Sequence, residues 1–236
     1  MLKLWCLVIV QFSVLLQVVS ADTAPRWHIR AGTAVSFPGV VVIDGSLAKG
    51  ELHGYSAIID CMAQQLQAGF SWQQFPTARL VQAAVQSKVD IIFPMGFTSE
   101  RSRVLQASDY LVQEQDYWGY IGSAPDWSQK QLSIAVKQAS PQAEWLAQNG
   151  YINIHQVYDY KQLLPLLRSG RVQAISVPAA IAVEYQVAAF EDLSLQAYFN
   201  RDAGFYLNHD FARAHLQHFN QAIAQCRHLA VLQPVQ

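Results

Sequence analysis

Two stretches of this chain share one layout, and that layout restricts its fold more than any other feature. FPTARLVQAAVQSKVDIIFP (75–94) and YKQLLPLLRSGRVQAISVP (160–178) each run helix, short basic turn, apolar strand and proline, matching to within one residue. Around the first copy, Trp27 to Val35 reads as a strand, and Tyr55 to Gln67 as a helix with Ile58, Ile59, Met62 and Leu66 at helical spacing. Pro76 to Gln86 repeats that period and Val89 to Phe93 is a short buried strand, which makes a βαβ succession. Around the second copy, Ser133 to Val136 is a strand and Ser140-Pro141 opens a helix with proline in its first position. Tyr160 to Arg168 is then a helix, Ser169-Gly170 stops it, and Val172 to Val177 is a strand. Such alternation implies α/β architecture, with mixed sheets flanked by helices. The repeated layout favours two similarly built lobes over one continuous sheet.

Val112 to Tyr120 and Tyr198 to Leu207 are extended, aromatic-rich and without helical period; the second precedes a last helix from Phe211 to Arg227. Taken as two crossings, they divide the chain into a first lobe of residues 22–111 plus 201–236 and a second of residues 112–200. Two crossings make a hinge over a cleft, and ligands collect at domain interfaces and at the C-terminal ends of strands.

Residues 1–21 read as a cleavable signal peptide, with Lys3 as a positive start, Leu4 to Val19 as the apolar stretch, and Val19-Ser20-Ala21 before Asp22. Gln11, Ser13 and Gln17 interrupt a stretch already short of the about 20 apolar residues that span a bilayer. An uncleaved anchor is the alternative. Cleavage removes Lys3 and no acid, so Lys+Arg falls from 16 to 15 against 17 Asp+Glu, and the formal charge moves from -1 to -2. That is no footprint for nucleic acid, which needs a clustered basic face. Cys61 and Cys226 remain, an even number, as suits an exported protein in which disulfides form. They either bridge an early helix to the last one, which is the expectation, or stay as two buried thiols far apart.

The turn Thr98-Ser99-Glu100-Arg101 follows the strand ending at Met95 and opens another helix, placing an arginine in its first turn. A cation there opposes the helix dipole at a cost of roughly 0.3–1 kcal/mol. A bound anion would reverse that cost, because free backbone N–H groups and a guanidinium fork both suit a carboxylate. The plainer alternative is a capped helix in which Arg101 is solvated.

In these features the chain resembles the periplasmic solute-binding proteins of family 3, the amino-acid-type, two-lobed type II receptors that feed ABC importers. The resemblance rests on VQSKVDIIFPMGFTSERSRVLQASDYL, LLPLLRSGRVQAISVP and FNQAIAQC, and extends over essentially the whole mature sequence. It implies that Arg101 grips a ligand carboxylate, with Thr98 as helper. Three departures bear on the ligand. The second-lobe strand ends in Ser176-Val177-Pro178-Ala179, without the acid that takes an α-ammonium in that family. Its Gly-Thr/Ser turn is replaced by Ala139-Ser140-Pro141, and Gly54-Tyr55 is not followed by the usual aspartate. An unpaired buried ammonium costs several kcal/mol. Unless Glu184 or Asp202 supplies the charge, a small organic anion with an apolar or aromatic body suits these residues better than an ordinary amino acid.

Further candidates for the site are Arg79, as a second anion contact, and Phe37, Phe75 and Phe97, as aromatics at strand ends. Lys137 ends a second-lobe strand and would reach the cleft on closure. Each has a plain alternative, a buried aromatic or a solvated cation. His215 and His218 share a helix face near His209 and Asp210, but no metal, cofactor or phosphate-loop pattern is assembled. The expected protein is a periplasmic monomer that captures a small anionic ligand without a cofactor, and is read by a membrane permease or a sensor kinase. The alternatives are a dehydratase-like enzyme on the same scaffold, with Glu184 as its candidate acid, and a degenerate receptor kept as an interaction module.

Overall fold

The computed structural model describes residues 27–35, 40–48, 55–187 and 190–230. The expected signal peptide and Phe37 lie outside the described residues. In chain order the strands are β1 (Trp27–Ala34), β2 (Val42–Ile43), β3 (Ser46–Leu47), β4 (Ala68–Phe75), β5 (Ile91–Gly96), β6 (Gln106–Ile121), β7 (Ile134–Lys137), β8 (Ile154–Val157), β9 (Ala174–Pro178) and β10 (Leu193–Leu207). The helices are α1 (Tyr55–Leu66), α2 (Thr77–Val85), α3 (Ser99–Ser102), α4 (Pro141–Gln148), α5 (Leu163–Arg168), α6 (Ala179–Val187) and α7 (His209–Cys226).

Eight strands share one ladder in the order β4-β1-β5-β10-β6-β9-β7-β8, so the expectation of two separate sheets needs correcting. The cause is the length of the two crossings. β6 and β10 pair antiparallel from Leu193 opposite Ile121 to Leu207 opposite Gln106. At about 3.4 Å per residue they reach roughly 50 Å. Two strands side by side would leave buried N–H and C=O groups unpaired if they did not bond along their length. The ladder therefore runs through both halves.

The halves nonetheless keep separate cores. In one, α1 and α7 cover Ile29, Phe93 and Phe205 on one face, while α2 packs Leu80 and Ala84 on Ile92 and Tyr206 on the other. β5 feeds both cores, with Ile91 and Phe93 to one side and Ile92 to the other. In the second half, α5 and α6 cover Ile175 and Val177, while α4 and an aromatic group around Trp118 cover Ile134 and Val136. β7 and β9 are buried along their whole length, which is why they read as apolar runs rather than alternating strands.

Local chemistry sets the boundaries. Ser140 caps α4 by accepting the Ala143 N–H at 3.2 Å, with Pro141 first in the helix. Asn208 caps α7 through the Phe211 N–H at 2.8 Å. The expected helix after Thr98 is only one turn long, because the chain is already extended by Gln106. A disulfide joins Cys61 of α1 to Cys226 of α7, the bridge expected from the cysteine count.

Candidate functional site

Where the halves meet, Thr98 caps α3 by accepting the Arg101 N–H at 3.2 Å, and this sets Arg101 at the end of β5. The side chain turns inward, 9% exposed. Nη1 donates to the Gly96 carbonyl and Nη2 to the Ala139 carbonyl, both at 2.6 Å. Arg101 therefore ties the end of β5 to the loop after β7. Ala139 reaches it with a φ of 53°, a left-handed conformation that a residue with a Cβ adopts at a cost of about 1–2 kcal/mol. At Gly96 the halves touch: a Cβ there would lie 2.5 Å from Pro141 Cγ and 2.4 Å from Arg201 Nη1, so only glycine fits.

Arg101, Lys137, Ala139, Gln142, Tyr160 and Arg201 border a small cavity of about 60 Å³ between the halves, together with Gly96 and Pro141. A wider groove of about 620 Å³ shares Arg101, Lys137 and Ala139 and has apolar walls from Val35, Val81, Val104 and Tyr158. Lys137 is 7% exposed and makes no hydrogen bond or ion pair among the described residues. Its Nζ sits over the Tyr160 ring, 5.6 Å from the ring centroid. Burial above all, and then the charge of Arg101, lowers its ammonium to about 8, against a partial counter-pull from Asp159.

Beneath this lies a buried ionic cluster. Arg201 of β10 pairs with Asp116 of β6 at 3.1 Å and, through Nη2, with Glu114, its cross-strand neighbour in the ladder. Gln142 Nε2 donates to Asp116 Oδ1 at 2.7 Å, which ties α4 to β6. Burial works against the Arg201 charge, but Glu114 and Asp116 outweigh it and hold the guanidinium protonated. Glu114 and Asp116 thus face Arg201 beneath the cavity, while Asp159 and Glu100 border the wider groove with Lys137 and Arg101.

Burial lifts the Asp116 carboxyl from 3.8 to about 6, despite the opposing pulls of Arg201 and Gln142. The native state thus holds this proton more tightly than the unfolded chain does. Its stabilising effect is full below about pH 4 and is lost as pH rises through about 6. Across that window the parent should lose up to roughly 3 kcal/mol of urea-unfolding free energy relative to Asp116→Asn. A pH-independent difference between the two proteins would mean that this carboxyl titrates normally.

The sequence placed a bound anion at the start of α3. The anion found there is the chain's own: Glu144 of α4 accepts the Ser99 N–H at 3.0 and 3.2 Å. Thr98 borders the space beside Glu144 rather than either cavity that holds Lys137. Arg79 is exposed on α2 and borders none of these spaces. Phe75 and Phe97 pack against the core around Tyr206. Glu184 is exposed on α6, and Asp202 accepts from Gln113 at 3.0 Å, away from the cavities. His215 packs its ring 4.5 Å from Trp27. Of the candidates named from sequence, the structure brings together Arg101 and Lys137. Sequence reasoning passed over Glu114, Asp116, Gln142, Glu144, Tyr160 and Arg201. One signal was available: two acids at i and i+2 in an apolar crossing strand need a buried cation opposite them.

No protein-family model and no curated protein matches the chain. Solved structures do. The substrate-binding protein of an amino acid ABC transporter superposes with a TM-score of 0.65 at 18% identity, covering 85% of this chain and 93% of that one. Arginine-bound, truncated ArgBP from T. maritima gives 0.64 at 18% identity, covering 84% and 95%. A histidine kinase sensor domain with similarity to periplasmic binding proteins gives 0.72 at 15% identity, covering 88% and 98%. The chain thus has the two-lobed α/β fold of the periplasmic binding proteins.

Proposed function

We propose that this chain is an exported solute-binding protein of the family 3 type, which captures a small carboxylate-bearing ligand between its lobes. In this reading residues 1–21 are removed as a signal peptide and the protein works in the periplasm. The lobes are residues 22–111 plus 201–236 and residues 112–200, and they close about the β6 and β10 crossings. One observation carries the proposal: Lys137, only 7% exposed and without an ion-pair partner among the described residues, set beside Arg101 on the wall of the cleft. Arg101 uses two of its five N–H groups on carbonyls and keeps the rest for a ligand. Two structural neighbours are the substrate-binding protein of an amino acid ABC transporter and a histidine kinase sensor domain, which supports a membrane partner of either kind. Asp116 is the one carboxyl near the cleft with a strongly raised pKa, but it is fully buried under Arg201 and Gln142 and borders neither cavity. That favours binding over acid catalysis.

The test is a thermal-shift screen of the mature protein against organic acids and amino acids. A ligand at a hundred times its Kd stabilises the native state by about 2.7 kcal/mol. Lys137→Met and Arg101→Ala should each remove most of the shift given by the best carboxylate. A shift that survives in both variants would remove the cleft from consideration as the ligand site.

A further inference from the structure

We propose that the wider groove seats a carboxylate with a bulky apolar tail, its head at Lys137 and Arg101 and its tail along Val35, Val104 and Tyr158; this rests on reading the cleft as a carboxylate site. The first argument is where the groove lies. β1, β4 and β5 run parallel in one half, and β7 and β8 in the other. Val35 follows β1, Pro76 follows β4, and Arg101 lies in α3 directly after β5. Lys137 ends β7 and Tyr158 follows β8. All five residues border the groove, so the carboxyl ends of five parallel strands meet there. A crevice outside such ends is where open α/β sheets bind ligands. Its volume of about 620 Å³ falls in the range of roughly 300–1,000 Å³ usual for small-molecule sites.

The second argument is the wall. Val35, Val104 and Tyr158 are large apolar side chains left exposed, and Tyr158, at 78%, is the most exposed of its kind among the described residues. Single exposed apolar side chains are ordinary. These three come from separate turns of the chain and converge on one groove, joined by the half-buried Val81 of α2. An apolar tail laid over them removes that surface from water, and a two-carbon acid leaves it wet.

The third argument places the head. Glu100 and Asp159 border the same groove, so two acids stand there with the two cations. Burial tells them apart. Glu100 is exposed, and water satisfies it. Asp159 is half-buried and accepts the Lys161 N–H at 3.0 Å as the cap of the turn Tyr160–Gln162. It pulls on Lys137 without pairing with it. Lys137 and Arg101 are both buried, and neither has an ion-pair partner among the described residues. A carboxylate therefore gains most at these two groups, where a charge is costly to leave unpaired.

Isothermal titration of the mature protein at pH 7 compares acetate, hexanoate, 3-phenylpropionate, 3-phenylpropionamide and phenylalanine. Hexanoate and 3-phenylpropionate should each bind at least tenfold tighter than acetate, and the amide at least tenfold weaker than its acid. Val104→Ser combined with Tyr158→Ser should cut the ratio of 3-phenylpropionate to acetate affinity to roughly threefold or less. Phenylalanine separates the two sources of such a ligand. Binding tighter than 3-phenylpropionate supports the proposal with Asp159 taking the ammonium, and weaker binding supports it with a plain acid. Acetate as tight as both longer acids would overturn the apolar seat and leave the carboxylate reading standing. An amide that matches its acid would overturn the seat at Lys137 and Arg101. If no carboxylate binds, that reading and this proposal fall together.

Discussion

Arg201→Met should destabilise the protein by about 3–5 kcal/mol, because it leaves two carboxylates buried without their cation. Glu114 and Asp116 are 3% and 0% exposed, and Arg201 is their shared partner. Tyr55 and Gln142 also reach them, but neither carries a charge to offset theirs. For a chain of this length each kcal/mol moves the melting temperature by roughly 2–4 °C, so a fall of about 10 °C is expected. The triple variant with Glu114→Gln and Asp116→Asn removes both stranded charges and should recover most of the loss. Recovery separates the electrostatic account from a packing one, since the methionine is present in both proteins. A single variant as stable as the parent would show that the cluster is not charged in the folded state.

Opening the Cys61–Cys226 bridge should cost about 2–5 kcal/mol. The two cysteines are 165 residues apart, so the bridge closes a loop that contains the whole second half of the molecule. Chain entropy favours bridges over long loops, and α1 and α7 are packed around this one, with Cys226 fully buried. Cys61→Ser with Cys226→Ser, or reduction of the parent, should lower the melting temperature by roughly 5–15 °C. The mature parent should show no free thiol until it is reduced and denatured. A reduced protein that melts where the oxidised one does would mean that helix packing alone fixes α7.

Much of the scaffold was legible because local chemistry fixes it. Ser140-Pro141 opens a helix wherever it lies, and the spacing of Ile58, Ile59, Met62 and Leu66 allows only one face inward. β4 escaped notice because AGFSWQQF lacks a clean alternation: it lies at the sheet edge, with β1 on one side and the β2–β3 hairpin close by. β8, another edge strand, and α6, a mostly apolar helix with little amphipathic contrast, were passed over for similar reasons. The length of α3, a single turn, was not legible, because a cap and a first-turn acid look the same whatever follows them.

The site divides along the same line. Arg101 was visible because a cation at a helix start is costly in isolation, and that conflict is local. What answers the conflict is not. The carbonyl of Ala139 and the carboxylate of Glu144 arrive from another part of the chain, and Arg201 meets Glu114 and Asp116 across 85 residues or more. The sequence by itself determined the α/β alternation, the two crossings and the cationic turn, because each depends on neighbours within a few residues. Only the tertiary structure decided which charges are paired and which, at Lys137, has no ion-pair partner among the described residues. Charge compensation in a buried cleft is a matter of distance in space, and spacing along a chain does not record it.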